Sequence, residues 1–252
     1  MGKFDGILIA SDWDGTLCYD NTVSEKNVEA INYFMENGGK FTICSGRHYS
    51  YLQNFSHLVK PNTYTVSING ALIYDQNTDD CLYSGVCDDK IIPIIEKIID
   101  FALYDKLYFH LKDSISPYIY TKENLKKAIE DLKELQIRKA VFITDNAKKS
   151  ILGRDMANSL SLGDYTAVRS WETSLEIIHK DNSKGKALQR LKAALSAEAV
   201  IAVGDFENDI AMFRAADRSY AVENACEELK RIATHKTSSV YDASLQDVIA
   251  SL

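Results

Sequence analysis

Proline and glycine are scarce in this chain, three and twelve in 252 residues. That scarcity excludes a long flexible or proline-rich linker. No apolar run approaches the roughly 20 residues of a membrane-spanning helix, and the opening MGKFDG lacks a signal-peptide core. A cytoplasmic chain with no membrane partner is therefore expected. Positive charge is in deficit, and a net charge of −7 argues against nucleic acid as a partner. A small anionic ligand stays open, because local lysines decide that. The five cysteines (18, 44, 81, 87 and 226) are odd in number and include no CxxC pair, so reduced thiols are expected. Cys18 and Cys44 lie near candidate site residues, yet a free cysteine is most often a small buried apolar side chain. The five histidines show no HExxH or other paired spacing, which speaks against zinc.

What is present begins with ILIASDWDGTL, Ile7 to Leu17. Ile7 to Ala10 reads as a buried parallel strand. It runs into Asp12 and Asp14, and residues i and i+2 of a strand share a face. Both carboxylates then stand near one point past the strand's C-terminal end, where open α/β sheets bind ligands. Carboxylates that close either share a proton or hold a cation. One can be a nucleophile and the other a proton donor and acceptor, beside a hard metal ion. An N-cap in an acidic turn is the plainer alternative.

Thr22 and Glu25 have the spacing of a capping box, ahead of a helix with Val28, Ile31, Phe34 and Met35 on its apolar face. Gly38-Gly39 ends it. Phe41 to Cys44 is a second strand leading into Ser45-Gly46-Arg47, which completes a βαβ unit. A third strand, Tyr64 to Ile68, meets Asn69-Gly70, and Ala71 to Tyr74 pairs with Cys81 to Ser84 as a hairpin. The texture then changes. A helix capped by Asp88 or Asp89 precedes strands near Leu107 to Leu111 and Pro117 to Tyr120. A charged helix from Thr121 to Leu135 follows, then a strand near Val141 to Thr144 and a helix from Ala147 to Leu160. Strands at Thr166 to Ser170 and Leu175 to His179 close the section. Alternation resumes with a helix opened by Ser183-Lys184-Gly185 and a strand, Ala199 to Val203, running into Gly204-Asp205-Phe206-Glu207-Asn208-Asp209. The tail beyond Thr237 is polar and is expected to pack weakly, apart from Val248 to Leu252. The expected fold class is α/β: a Rossmann-like core with a parallel sheet, residues 1–82 and 181–252, and an inserted α+β domain over 83–180.

Asp12/Asp14, Ser45, Asn69 and Asp205/Asn208/Asp209 all follow strands, and Lys184 stands at a helix start. That inventory suits phosphoryl transfer, with cations and backbone N–H groups neutralising phosphate. DWDGTL, SGR, KGKAL and GDFENDIAMF, in that order, resemble the four motifs of the haloacid dehalogenase (HAD) superfamily. The insert resembles the cap of its Cof-type phosphatase branch. The resemblance implies a magnesium-dependent phosphatase for small phosphate esters, sugar phosphates or similar, with a cap closing over the site. By motif, Asp12 is implied as nucleophile and Asp14 as acid and base. Ser45 and Gly46 would bind phosphate, Lys184 would pair with Asp12 and phosphate, and Asn208 would position Lys184 or phosphate. Mg2+ would be held by Asp12, the Asp14 carbonyl and Asp205, with Asp209 close behind; an all-oxygen set suits that ion.

Each assignment has a plainer rival. Ser45 could cap the next helix, Lys184 could be solvated, Asp209 could be an N-cap and Asn208 a turn residue. Arg47 and Asn69 read as structural or supporting. His110, Lys112, Tyr118, Tyr120 and Arg154 are candidates for touching the leaving group. A sugar phosphomutase, a dedicated sugar-phosphate phosphatase and a non-catalytic phospho-acceptor are the alternative functions. Trp13 departs from the family's usual Leu, Phe, Met or Ile, and its side chain is expected to point away from the aspartates. The tail also lacks the family's usual NDEDGV-like stretch.

Overall fold

The computed structural model describes residues 2–112, 114–115, 119–121, 123–124, 127, 130–131 and 135–252. The chain is mixed α/β and divides into two compact units, Met1–Ser84 with Ser183–Leu252, and Gly85–Asn182. In the first unit a sheet runs, edge to edge, through His235–Lys236, Arg218–Ala221, Ala199–Gly204, Ile7–Ser11 and Lys40–Ile43. All its pairings are parallel. Leu8, Ile9, Ala10 and Val200 to Val203 are buried, as unbroken apolar runs in a covered parallel sheet should be. Ser11 pairs with Val203 on one side and Ile43 on the other. Three strands therefore end at one level, and the polar residues that follow them share one edge.

Trp13 is fully buried in the apolar core, its ring 5.8 Å from that of Phe55. Asp14, the next residue, faces Arg47 instead. The helix Glu25–Glu36 forms, but without the expected capping box, and Ser24 at its start makes no side-chain cap bond. Thr22 donates its hydroxyl to the Tyr19 carbonyl at 2.8 Å. It closes a tight turn over Asp20 and Asn21, both left-handed at φ 47 and 59. A turn that close captures the hydroxyl before the helix can use it.

The tail also differs from expectation. Ser244–Ala250 is a helix that buries Leu245, Val248 and Ile249. Asn27 of the Glu25–Glu36 helix accepts the Leu245 and Gln246 N–H groups at 2.9 and 3.3 Å. The polar residues that suggest looseness are the ties: Thr237 donates to the Ser244 carbonyl at 2.8 Å and Ser239 to Asp242 at 2.7 Å.

In the second unit the sheet order is Tyr120–Thr121, Lys106–Leu111, Ile137–Ile143, Ser174–His179, Tyr165–Val168, every pairing antiparallel. With the helices Ile91–Asp100 and Ala147–Ser159 it encloses a second core, including Ile95, Leu107, Phe109, Phe142 and Ile177. Lys90, not Asp88 or Asp89, sits at the N-cap of the first of these helices, and Asp88 accepts from Tyr165 Oη at 2.8 Å. The charged helix expected over 121–135 falls mostly outside the described residues, as does Tyr118. No helix among the described residues is long and apolar enough to cross a membrane.

Candidate active site

Asp12 follows its strand directly, and its N–H donates to the Val203 carbonyl at 2.9 Å, extending the ladder one step. Gly15 turns the chain with φ +78, and a Cβ there would lie 2.5 Å from Asp205 Oδ2. Only glycine permits both the turn and that approach. Thr16, fully buried, donates its hydroxyl to Asp205 Oδ1 at 2.9 Å. Gly204 allows a similar close approach at the end of its strand, where a Cβ would come within 2.5 Å of Asp209 Oδ2. That oxygen accepts the N–H groups of Asp205 and Phe206 at 3.1 and 3.3 Å.

Lys184 opens the helix Lys184–Ala194, capped by the Ser183 hydroxyl accepting from Lys186 N–H at 3.3 Å. Its Nζ lies 2.5 Å from Asp12 Oδ1 and 2.6 Å from Asp209 Oδ1. The residue is 1% exposed, which disposes of the solvated-lysine reading. A cation at a helix N-terminus is unfavourable, and two carboxylates offset that here.

Burial pushes Asp12 up to about 7, with Lys184 pulling the other way. Burial, with Asp12 and Asp209 repelling, also holds Asp205 well above the ordinary carboxylate range. Burial works against the Lys184 ammonium too, but Asp12 and Asp209 outweigh it and raise its pKa. Asp12, Asp205 and Asp209 each place an oxygen within 4.8 Å of the others, all three buried. One ammonium cannot balance three carboxylates, so the cluster fits a further hard cation. Asp209 engages Lys184 with one oxygen and two backbone N–H groups with the other. Asp12 and Asp205 are left as the pair best placed to ligate.

Asp14 takes no part in that cluster through its side chain. Arg47 Nε and Nη2 donate to its two oxygens, each at 2.8 Å. Ser45 is buried and its Oγ accepts from the Arg47 N–H at 3.1 Å. It does not cap the following helix, Tyr49–Gln53, whose N-cap is His48. Gly46 lies half-buried between them. Asn208 donates to Asn69 Oδ1 at 3.2 Å, while the Lys184 ammonium donates to Asp12 and Asp209. Cys18 and Cys44 are buried, and burial pushes the Cys18 thiol up to about 11 and Cys44 higher still. Thiols so placed are poor nucleophiles.

Of the candidates in the insert, Tyr120 is buried and donates to Asp131 at 2.9 Å, while Arg154 pairs with the exposed Asp155. Sequence reasoning missed three contacts at the edge of the parallel sheet. Arg47 grips Asp14, Thr16 holds Asp205, and Asn224 donates to the Gly15 carbonyl at 2.7 Å. Arg47 reads from the sequence as structural or supporting without its partner, and Thr16 sits inside a motif and could have been singled out there. Asn224 arrives from 209 residues away and carries no local signal.

A family model described as haloacid dehalogenase-like hydrolase matches residues 9–249. YxeH of Bacillus subtilis, which bears a phosphatase name, is 28% identical over 260 residues, covering 92% of this chain and 93% of that protein. YitU of the same organism, named as a 5-amino-6-(5-phospho-D-ribitylamino)uracil phosphatase, is 24% identical over 253 residues, 92% of each chain. A solved haloacid dehalogenase-like hydrolase from B. subtilis shares the fold with a TM-score of 0.81 at 24% identity, covering 97% of this chain and 99% of that one.

Proposed function

This chain belongs to the haloacid dehalogenase-like hydrolase family as a phosphoric monoester hydrolase, and we propose that it is a magnesium-dependent phosphatase working through an aspartyl-phosphate on Asp12. Its substrates are small phosphorylated metabolites, sugar phosphates or similar monoesters. The observation that carries this reading is Lys184 clasped between Asp12 and Asp209, with Asp205 adjoining, at the C-terminal edge of a parallel sheet. With a divalent cation beside Lys184, such a site sets positive charge against both the carboxylate nucleophile and a dianionic phosphoryl group.

Asp12 attacks phosphorus as its carboxylate, and the bond from phosphorus to the ester oxygen breaks. Asp14, released from Arg47 and protonated, gives that proton to the leaving oxygen. The same carboxylate then takes a proton from water, which attacks the phosphoryl group on Asp12 and releases phosphate with Asp12 regenerated. Lys184 keeps the attacking carboxylate charged and offsets its repulsion of the incoming phosphate. The Ser45 hydroxyl, the Gly46 N–H and the Asn208 amide are the donors to phosphate oxygens.

Asp12, the Asp14 carbonyl and Asp205 are the groups that would hold the cation, with Asp209 behind them fixing Lys184. A bound divalent ion supplies positive charge to the phosphoryl oxygens and keeps the carboxylates ionised. The oxygen-only donor set favours magnesium over softer metals. The sugar-phosphate preference is supported by YitU, whose named substrate carries its phosphate on a ribityl chain.

The test is phosphate release from a panel of small esters, with magnesium and with EDTA, beside Asp12→Asn protein. Magnesium-dependent release that vanishes in the variant is expected, and the ranking of esters gives the substrate class. Folded, magnesium-bound protein that releases phosphate from no ester overturns the reading.

A further inference from the structure

Three successive residues after the Thr65–Ser67 strand have left-handed backbones: Ile68 at φ 53, Asn69 at φ 56 and Gly70 at φ 105. Glycine adopts this freely and asparagine tolerates it, but a β-branched isoleucine is a true outlier there. Such conformations persist only where the surroundings over-determine them, and they cluster at functional sites. Ile68 is fully buried in this turn. Its N–H donates to the Arg47 carbonyl at 2.9 Å, and the next N–H, of Asn69, donates to the Ser45 carbonyl at 3.0 Å. Two consecutive N–H groups thus hold the two ends of the Ser45-Gly46-Arg47 loop. The Asn69 side chain, 1% exposed, reaches the other way and accepts from Asn208, 139 residues further along.

We propose that Asn69 is a positioning residue for the phosphate-binding side of the site, an inference that rests on the phosphatase reading above. Its backbone sets the Ser45 loop and its side-chain carbonyl sets the plane of the Asn208 amide. An amide that gives one N–H to a fixed acceptor has its second N–H and its oxygen aimed in defined directions. Asn69 therefore acts through Asn208 and Ser45 without touching substrate. Glycine at 69 keeps the left-handed backbone and removes the side-chain amide, the Asn208 acceptor with it, so Asn69→Gly separates the two parts of the role.

The experiment compares wild type, Asn69→Gly, Asn208→Ala and the double variant on para-nitrophenyl phosphate with magnesium, alongside melting temperatures and the side-chain amide NMR signals of Asn208. Asn69→Gly is expected to fold and to raise KM by about threefold to tenfold, the size of one lost hydrogen bond, with a smaller change in kcat. In the Asn208→Ala background the same substitution is expected to add nothing, because its route of action is gone. The Asn208 amide signals should move toward those of a solvated asparagine in Asn69→Gly. Additive losses in the double variant, or Asn208 signals that do not move, overturn the proposal. A wild type inactive on every ester counts against the phosphatase reading instead, and the NMR signals still decide for or against Asn69.

Discussion

Arg47 holds Asp14 by both carboxylate oxygens, with Nε and Nη2 each donating at 2.8 Å. The guanidinium also lies over the Tyr51 ring, 4.6 Å from its centre, and the Tyr51 hydroxyl donates to Asn21 at 3.2 Å. A planar fork matched to a carboxylate fixes orientation as well as charge, which a lysine cannot do. The contact holds the proposed acid and base as a carboxylate with both oxygens occupied, so it opens before Asp14 can carry a proton to the leaving oxygen.

Arg47→Ala should raise kcat/KM for an alkyl phosphate and leave it nearly unchanged for an aryl phosphate. A basic alkoxide needs the Asp14 proton to leave, whereas a phenolate leaves with less help, and the guanidinium competes with that proton. The expected gain on the alkyl ester is about threefold to tenfold. Arg47→Lys should show a smaller gain. The pair is partly exposed, so the melting temperature should barely move. A loss on the alkyl ester would mean that Arg47 orients Asp14 without holding its proton off.

Lys184→Met leaves Asp12 and Asp209 buried without their shared cation. Breaking a buried pair from one side costs about 3–5 kcal/mol. Urea denaturation should show a loss of that order, with part of it regained on adding magnesium. A loss below about 1 kcal/mol would mean the three groups are weakly coupled.

Asp12 titrates near 7 in the folded protein without metal, against an ordinary carboxylate value near 3.8. The folded state binds this proton more tightly than the unfolded chain does. Its contribution to stability is fully present below about pH 4 and is lost as pH rises through about 7. A divalent cation favours the carboxylate, so its stabilisation grows across the same window. In EDTA the melting temperature should fall between about pH 4 and 7, and magnesium should raise it more at the upper end. Asp12→Asn should flatten both trends. Parallel curves for the two proteins would contradict the raised value.

Asn27→Ala removes the acceptor for two N–H groups in the first turn of the Ser244–Ala250 helix. The expected cost is about 1–3 kcal/mol, read as a lower melting temperature, with turnover unchanged where the variant is folded. Turnover lost in a fully folded variant would tie the tail to the site more directly than the bonds suggest.

Much of the site is legible along the chain because its signals are local. Asp12 follows an apolar run directly, and Lys184 stands where a helix start disfavours its charge. The expectation that the Asp14 carboxylate joins Asp12 fails, because the strand ends at Ser11 and Asp14 turns to Arg47. Thr22 shows the limit of such reading. Capping box and tight turn compete for one hydroxyl, and the conformation of Asp20 and Asn21 decides between them.

By itself, then, the sequence determined the apolar strands, the helix starts and which chemical groups stand beyond the strand ends, since periodicity and short-range sterics act within a few residues. Only the tertiary structure decided which groups meet. Arg47 joins Asp14 across 33 residues, Asn208 joins Asn69 across 139, and Asn27 joins Leu245 across 218. A hydrogen bond needs its partners within about 3 Å, and over such separations that closeness comes from the register of a whole packed sheet rather than from any neighbour in the chain.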